Sequence, residues 1–123
     1  MRPSIVCGLL LFLGISCKSQ DESAISVIDK ATMKSKVIGK DVQLVDVRTP
    51  EEYQVGHIDD AVNFDIKDPL HFEEQLTGLN KDEPVYLYCK MGGRSARAAK
   101  MLKEKGFEKI YDYAGGYTDW VKN

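Results

Sequence analysis

A chain of 123 residues has length for one domain and a single core. Its hydrophobic fraction of 43% and charged fraction of 29% are those of an ordinary globular protein. With 17 Lys+Arg against 19 Asp+Glu the formal charge is -2, and nothing resembles the basic stripe that grips nucleic acid.

The first residues differ from the rest. "MRPSIVCGLLLFLGISC" carries one cation, Arg2, followed by apolar and small residues as far as Cys17. The apolar stretch, about a dozen residues, is shorter than the roughly 20 needed to span a bilayer and suits the hydrophobic region of a signal peptide. Gly14-Ile15-Ser16-Cys17 resembles the lipobox of bacterial lipoproteins, with Gly14 in place of the usual leucine. Residues 1–16 are therefore expected to be removed as a signal peptide, leaving Cys17 lipidated. The polar run from Lys18 to Ser23 forms a tether, and the domain occupies residues 24–123. The expected location is the bacterial cell envelope, with the protein exported and anchored to a membrane, facing the periplasm or the exterior.

From Ala24 onward, strand and helix patterns alternate. "AISVI" (24–28) reads as a first strand, and residues 29–40 as a helix with Met33 and Val37 at helical spacing and Gly39 as its stop. "VQLVDV" (42–47) and "AVNF" (61–64) read as strands. Thr49-Pro50-Glu51-Glu52 is a capping box with proline at the first helical position, a purely structural signal. "HFEEQL" (71–76) places Phe72 and Leu76 on one face of a short helix. "VYLYC" (85–89) lacks strict alternation, as a strand buried on both faces does. The helix over 94–106 turns Ala98, Met101 and Leu102 inward and ends at Gly106. "KIYDY" (109–113) is a last strand and "GYTDWV" (116–121) a closing helical turn, with Tyr117 and Trp120 covering the core. Such alternation predicts an α/β fold with a parallel, doubly wound sheet and helices on both faces. Ligands in such sheets bind beyond the carboxyl ends of the strands, the edge to which Asp46 and Cys89 both belong.

Of the three cysteines, Cys7 would leave with the signal peptide and Cys17 would carry lipid, so Cys89 would be the one free thiol. The loop that follows it, Lys90-Met91-Gly92-Gly93, is built to hold an anion. Two glycines allow successive N–H groups to turn toward one point. A helix beginning near Arg94 adds its unpaired amides and positive end. Lys90 and Arg94 add full charges. Together these features favour a thiolate at Cys89.

"CKMGGRS" resembles the active-site loop of the rhodanese-like sulfurtransferases, Cys-x-x-Gly-x-Arg-Ser. The resemblance extends through "LVDVRTPEEYQVGHIDDAVNFD" and "KGFEKIYDYAGGYTDW", with Asp59-Asp60 where Pro-Gly is common. It implies a five-stranded parallel sheet and a two-step reaction. Cys89 would take a sulfane sulfur from a donor such as thiosulfate, become a persulfide, and pass the sulfur to cyanide or a thiol. The resemblance also implies that Lys90, Met91, Gly92, Gly93, Arg94 and Ser95 bind the substrate through their backbone, and that no metal or organic cofactor is needed. Asp46 and Arg48 would support the site by hydrogen-bonding loop backbone and one another. His57 and His71 are expected to be structural, since a thiolate already stabilised by amides needs no base.

Two other functions compete. A sulfur-carrier or partner-binding module would use the same loop with negligible turnover. Dual-specificity phosphatases and some arsenate reductases share the fold but place one residue more between cysteine and arginine; here Lys90 to Gly93 make four. For the leader, Cys17→Ala is expected to block processing. Intact mass should show wild-type chain beginning at an acylated Cys17, and a mature chain without acyl groups would refute the lipoprotein reading.

Overall fold

A computed structural model describes residues 24–123. The expected signal peptide, the expected lipidation site Cys17 and the expected tether lie outside the described residues. Five strands, β1 (Ile25–Ile28), β2 (Gln43–Asp46), β3 (Val62–Asn63), β4 (Val85–Tyr88) and β5 (Ile110–Tyr113), alternate with five helices. These are α1 (Lys30–Lys36), α2 (Pro50–Val55), α3 (Pro69–Leu76), α4 (Gly93–Glu104) and α5 (Gly116–Trp120). All strand pairs are parallel, in the order β1-β5-β4-β2-β3. The chain thus forms the doubly wound α/β sheet that the alternation predicts.

Helices cover both faces. On one, Phe72 and Leu76 of α3 and Ala98, Ala99 and Leu102 of α4 pack over Val45, Val85, Leu87 and Ile110. On the other, Met33 of α1 and Val37 pack with Leu44, Ile58, Tyr88 and Tyr113, flanked by the partly buried Tyr117 and Trp120 of α5. Each fully buried side chain of this size contributes about 1.5–3 kcal/mol. Central β4 is buried at all four positions, as its unbroken apolar pattern requires.

The element ends differ from the expected ones for local reasons. α1 stops at Lys36, capped by the Val37 N–H on the Met33 carbonyl, and Gly39 (φ 76°) lies in the turn beyond. In α4 the fully buried stripe is Ser95, Ala98, Ala99 and Leu102, while Met101 only flanks the core. Alanine admits the close approach of helix to sheet that a longer side chain would block. Asp59, in the Asp-Asp turn, has φ 49°, and its carboxylate accepts the Gly39 N–H at 3.1 Å. Asp adopts the left-handed region more readily than most residues, so Pro-Gly is not required here.

α5 packs directly on the loop after β4. The Tyr117 and Thr118 N–H groups donate to the Cys89 and Lys90 carbonyls at 2.8 and 3.1 Å. This approach depends on Gly116, whose φ is 68° and whose added Cβ would fall 2.6 Å from the Cys89 carbonyl oxygen. Gly116→Ala is therefore expected to cost about 2–4 kcal/mol, read as a lower denaturant midpoint.

Candidate active site

Cys89 is the first residue after β4, not its last, and is a free, buried cysteine 1% exposed. Its Sγ accepts the Gly92 N–H at 3.0 Å and lies 3.6 Å from the Ser95 hydroxyl, which also donates to the Gly92 carbonyl at 3.3 Å. Gly92 turns the chain with φ 104°, a conformation that favours glycine, and an added Cβ would sit 2.7 Å from the Ala114 carbonyl oxygen. Immediately beyond it α4 begins, so its first amides, from Gly93 onward, lack intrahelical acceptors beside the sulfur. Of the loop amides expected to cradle the sulfur, Gly92 is the one that reaches Sγ itself. Lys90 and Met91 are exposed, Met91 at 71%.

The cations are arranged differently from the expectation of free charges facing the thiol. Arg94 is engaged by Glu52, Nη1 to Oε1 at 2.6 Å and Nη2 to Oε2 at 3.0 Å. The same Oε1 accepts the Thr49 N–H and hydroxyl at 3.0 and 3.1 Å, completing the capping box of α2. One carboxylate therefore ties the start of α2 to the start of α4. The Arg94 hydrogen bonds, helped by those from Thr49 and opposed by burial, hold Glu52 well below the ordinary carboxylate range, at about 2.

Asp46 and Arg48 form a second, deeper pair. Arg48 Nε lies 2.9 and 3.1 Å from the two Asp46 oxygens and Nη2 2.6 Å from Oδ2, while the Arg48 N–H also donates to Oδ1 at 2.9 Å. Nη2 further donates to the Gly56 carbonyl at 2.7 Å. The guanidinium lies over the Tyr117 ring at 4.4 Å and near that of Tyr88 at 5.6 Å. Asn63 donates to the Asp46 and Arg48 carbonyls at 3.1 and 2.8 Å, fixing the strand exit. Beside this pair a cavity of about 380 Å³ opens between Arg48, Glu52, Lys90 and Tyr117, with Val55 and Val121 at its edge. His57 stacks on Tyr53 at 3.9 Å, with Nδ1 3.1 Å from the Tyr53 carbonyl oxygen.

Two residues escaped the sequence reading. Glu52 looked wholly accounted for by its capping box, because its second partner is 42 residues away. Asp112, in the middle of the apolar "IYDY" of β5, is 4% exposed, and its Oδ1 has no hydrogen-bond partner among the described residues. An acidic residue flanked by strand-forming aromatics was the available signal.

A family model, "Rhodanese-like domain", matches residues 29–123. The chain belongs to the rhodanese-like domain family. It is similar to a thiosulfate sulfurtransferase GlpE of Shewanella oneidensis, 37% identical over 81 residues covering 66% of this chain and 77% of the relative. It also resembles the thiosulfate:glutathione sulfurtransferase of Saccharomyces cerevisiae, 32% identical over 124 residues covering 89% and 88% of the two chains. Among solved structures, a rhodanese-like domain protein from Staphylococcus aureus superposes with a TM-score of 0.69 at 32% identity, covering 79% of this chain and 92% of the other. Other curated relatives are longer, and this chain spans between 36% and 60% of the length of three of them.

Replacing Glu52 by Gln keeps an oxygen for the capping box and removes the ion pair with Arg94. The expected loss is about 1–2 kcal/mol near neutral pH, given partial exposure and screening. Because folding lowers this carboxyl from 4.5 to about 2, its contribution is full above the unfolded value and disappears as pH falls toward the folded one. Denaturant unfolding of wild type and Glu52→Gln should thus converge in acid.

Proposed function

We propose that this protein is a sulfurtransferase that moves a sulfane sulfur through a persulfide on Cys89. The observation that carries the reading is the Gly92 N–H aimed at Sγ from 3.0 Å at the start of α4. Fixed backbone dipoles there favour negative charge on sulfur without reorganising during the reaction. Membership of the rhodanese-like family and similarity to thiosulfate sulfurtransferases support the same conclusion.

In the first half-reaction the Cys89 thiolate attacks the outer sulfur of thiosulfate. A Cys–S bond forms as the sulfur–sulfur bond of the donor breaks, and sulfite leaves with the electron pair. The product is a Cys89 persulfide anion whose terminal sulfur meets the free amides of α4. In the second half-reaction cyanide or an acceptor thiolate attacks that terminal sulfur, and Cys89 departs as thiolate. The cavity lined by Lys90 and Arg48 admits the anionic donor, and Ser95 steadies Sγ. The chemistry requires no metal or organic cofactor. Through the expected lipid on Cys17 the domain would act at a membrane of the cell envelope.

Thiosulfate should add about 32 Da, one sulfur, to the chain, and cyanide or a reductant should remove it. Cys89→Ser should gain no such mass; a variant that does would overturn the assignment. Steady-state thiosulfate:cyanide kinetics decides between enzyme and carrier, since a carrier would load one sulfur without sustained turnover.

A further inference from the structure

The loop that carries Cys89 is held from outside by α5, and α5 is in turn held by an element far away in sequence. At 5 residues α5 is too short to stand alone, so its place is set by what it touches. At its amino end, Tyr117 and Thr118 donate to the Cys89 and Lys90 carbonyls. At its carboxyl end, Lys30 Nζ donates to the Asp119 and Lys122 carbonyls at 3.1 and 2.7 Å. The same nitrogen lies 5.9 Å from the centre of the Trp120 ring. Between the two ends, the Tyr113 hydroxyl donates to the Asp119 carboxylate at 2.5 Å, and the Tyr113 ring meets Trp120 edge-on.

The topology brings Lys30 to this place. β1 and β5 are neighbours, with Ile28 paired to Tyr113 at the carboxyl edge of the sheet. α1 begins just past Ile28 and α5 just past Tyr113, so the start of one helix meets the other. For α1 itself Lys30 is a poor first residue, because a cation there opposes the helix dipole. For α5 it is well suited, since the carboxyl end of a helix presents unpaired carbonyls and a negative pole. A residue that breaks the local rule of its own helix while completing another is placed for the contact between them.

We propose that Lys30 is a positioning residue for Cys89 that acts through α5. By gripping the carboxyl end of α5 it keeps the Tyr117 and Thr118 amides on the loop carbonyls, and thereby the Gly92 N–H on Sγ. Lys30 does not line the cavity beside the loop, and among the described residues its ammonium donates to the two α5-end carbonyls. Its contribution is to the geometry of the loop, not to contact with a substrate. The start of α1 thus belongs to the support of the site. The assignment rests on Cys89 being the nucleophile, but not on which sulfur compound it meets.

Amide resonances and sulfur loading of the full chain test this. Lys30→Met keeps the apolar stem and removes the ammonium. The Tyr117 and Thr118 amide resonances should then shift, and the Gly92 resonance with them, while those of α3, on the opposite face of the sheet, stay in place. The rate at which thiosulfate loads Cys89 should fall about tenfold or more, as expected when reacting groups are slightly misplaced. Lys30→Arg, which keeps the charge and its donors, should restore both the Gly92 resonance and the rate. A Lys30→Met chain with an unmoved Gly92 resonance or an unchanged loading rate would overturn the proposal, even if its denaturant midpoint falls. So would a Lys30→Arg chain that behaves as Lys30→Met does. Should Lys30→Met fail to fold, the shorter, neutral Lys30→Gln takes its place. If wild type itself loads no sulfur, the sulfurtransferase reading fails, while the resonances still decide for or against Lys30.

Discussion

The contact between α5 and the backbone of residues 89 and 90 is the constraint on which the site depends. By donating to the Cys89 and Lys90 carbonyls, Tyr117 and Thr118 commit the oxygens of the loop to one side. The Gly92 N–H is then free to turn inward and meet Sγ. Without a partner on the outside, that inversion would leave two peptide oxygens unsatisfied at a partly buried position, at about 1–3 kcal/mol each. Gly116 lets α5 come this close and Gly92 lets the chain double back, so the glycines on either side of the contact have distinct tasks.

Paired carboxylates restrain both arginines nearest the thiol. Arg48 belongs to a buried, multiply hydrogen-bonded pair with Asp46 and is further held by Gly56 and the Tyr117 ring. Such a pair adds little net stability over an apolar replacement, because desolvating both ions offsets their attraction. Its value here is geometric: it fixes the exit of β2 against α5, and α5 in turn fixes the cysteine loop. Arg94 and Glu52 do the same at the rim, clamping α2 to the start of α4. The two pairs thus build the frame around the loop, within which the Gly92 N–H meets Sγ.

How far this arrangement was legible in the sequence depends on the range of each signal. Alternation of strand and helix patterns carried the doubly wound sheet, since each element buries its own apolar residues at its own period. The cysteine loop was legible because every part of it lies within a few residues along the chain. Signals that depend on distant partners were not: Glu52 satisfies α2 locally and gives no hint of Arg94, and Asp112 differs from a surface strand residue only through what packs on β5. Steric fit was equally hidden. Met101 and Ala99 both suit a helical stripe, and the closeness of α4 to the sheet decided for the smaller residue.

The placement of acids completes the electrostatic design. Glu52 and Asp46 each face a guanidinium. Asp112, buried in β5, has a carboxylate oxygen with no hydrogen-bond partner among the described residues. Burial raises the Asp112 carboxyl from its ordinary range and so favours the protonated, uncharged acid in the sheet interior.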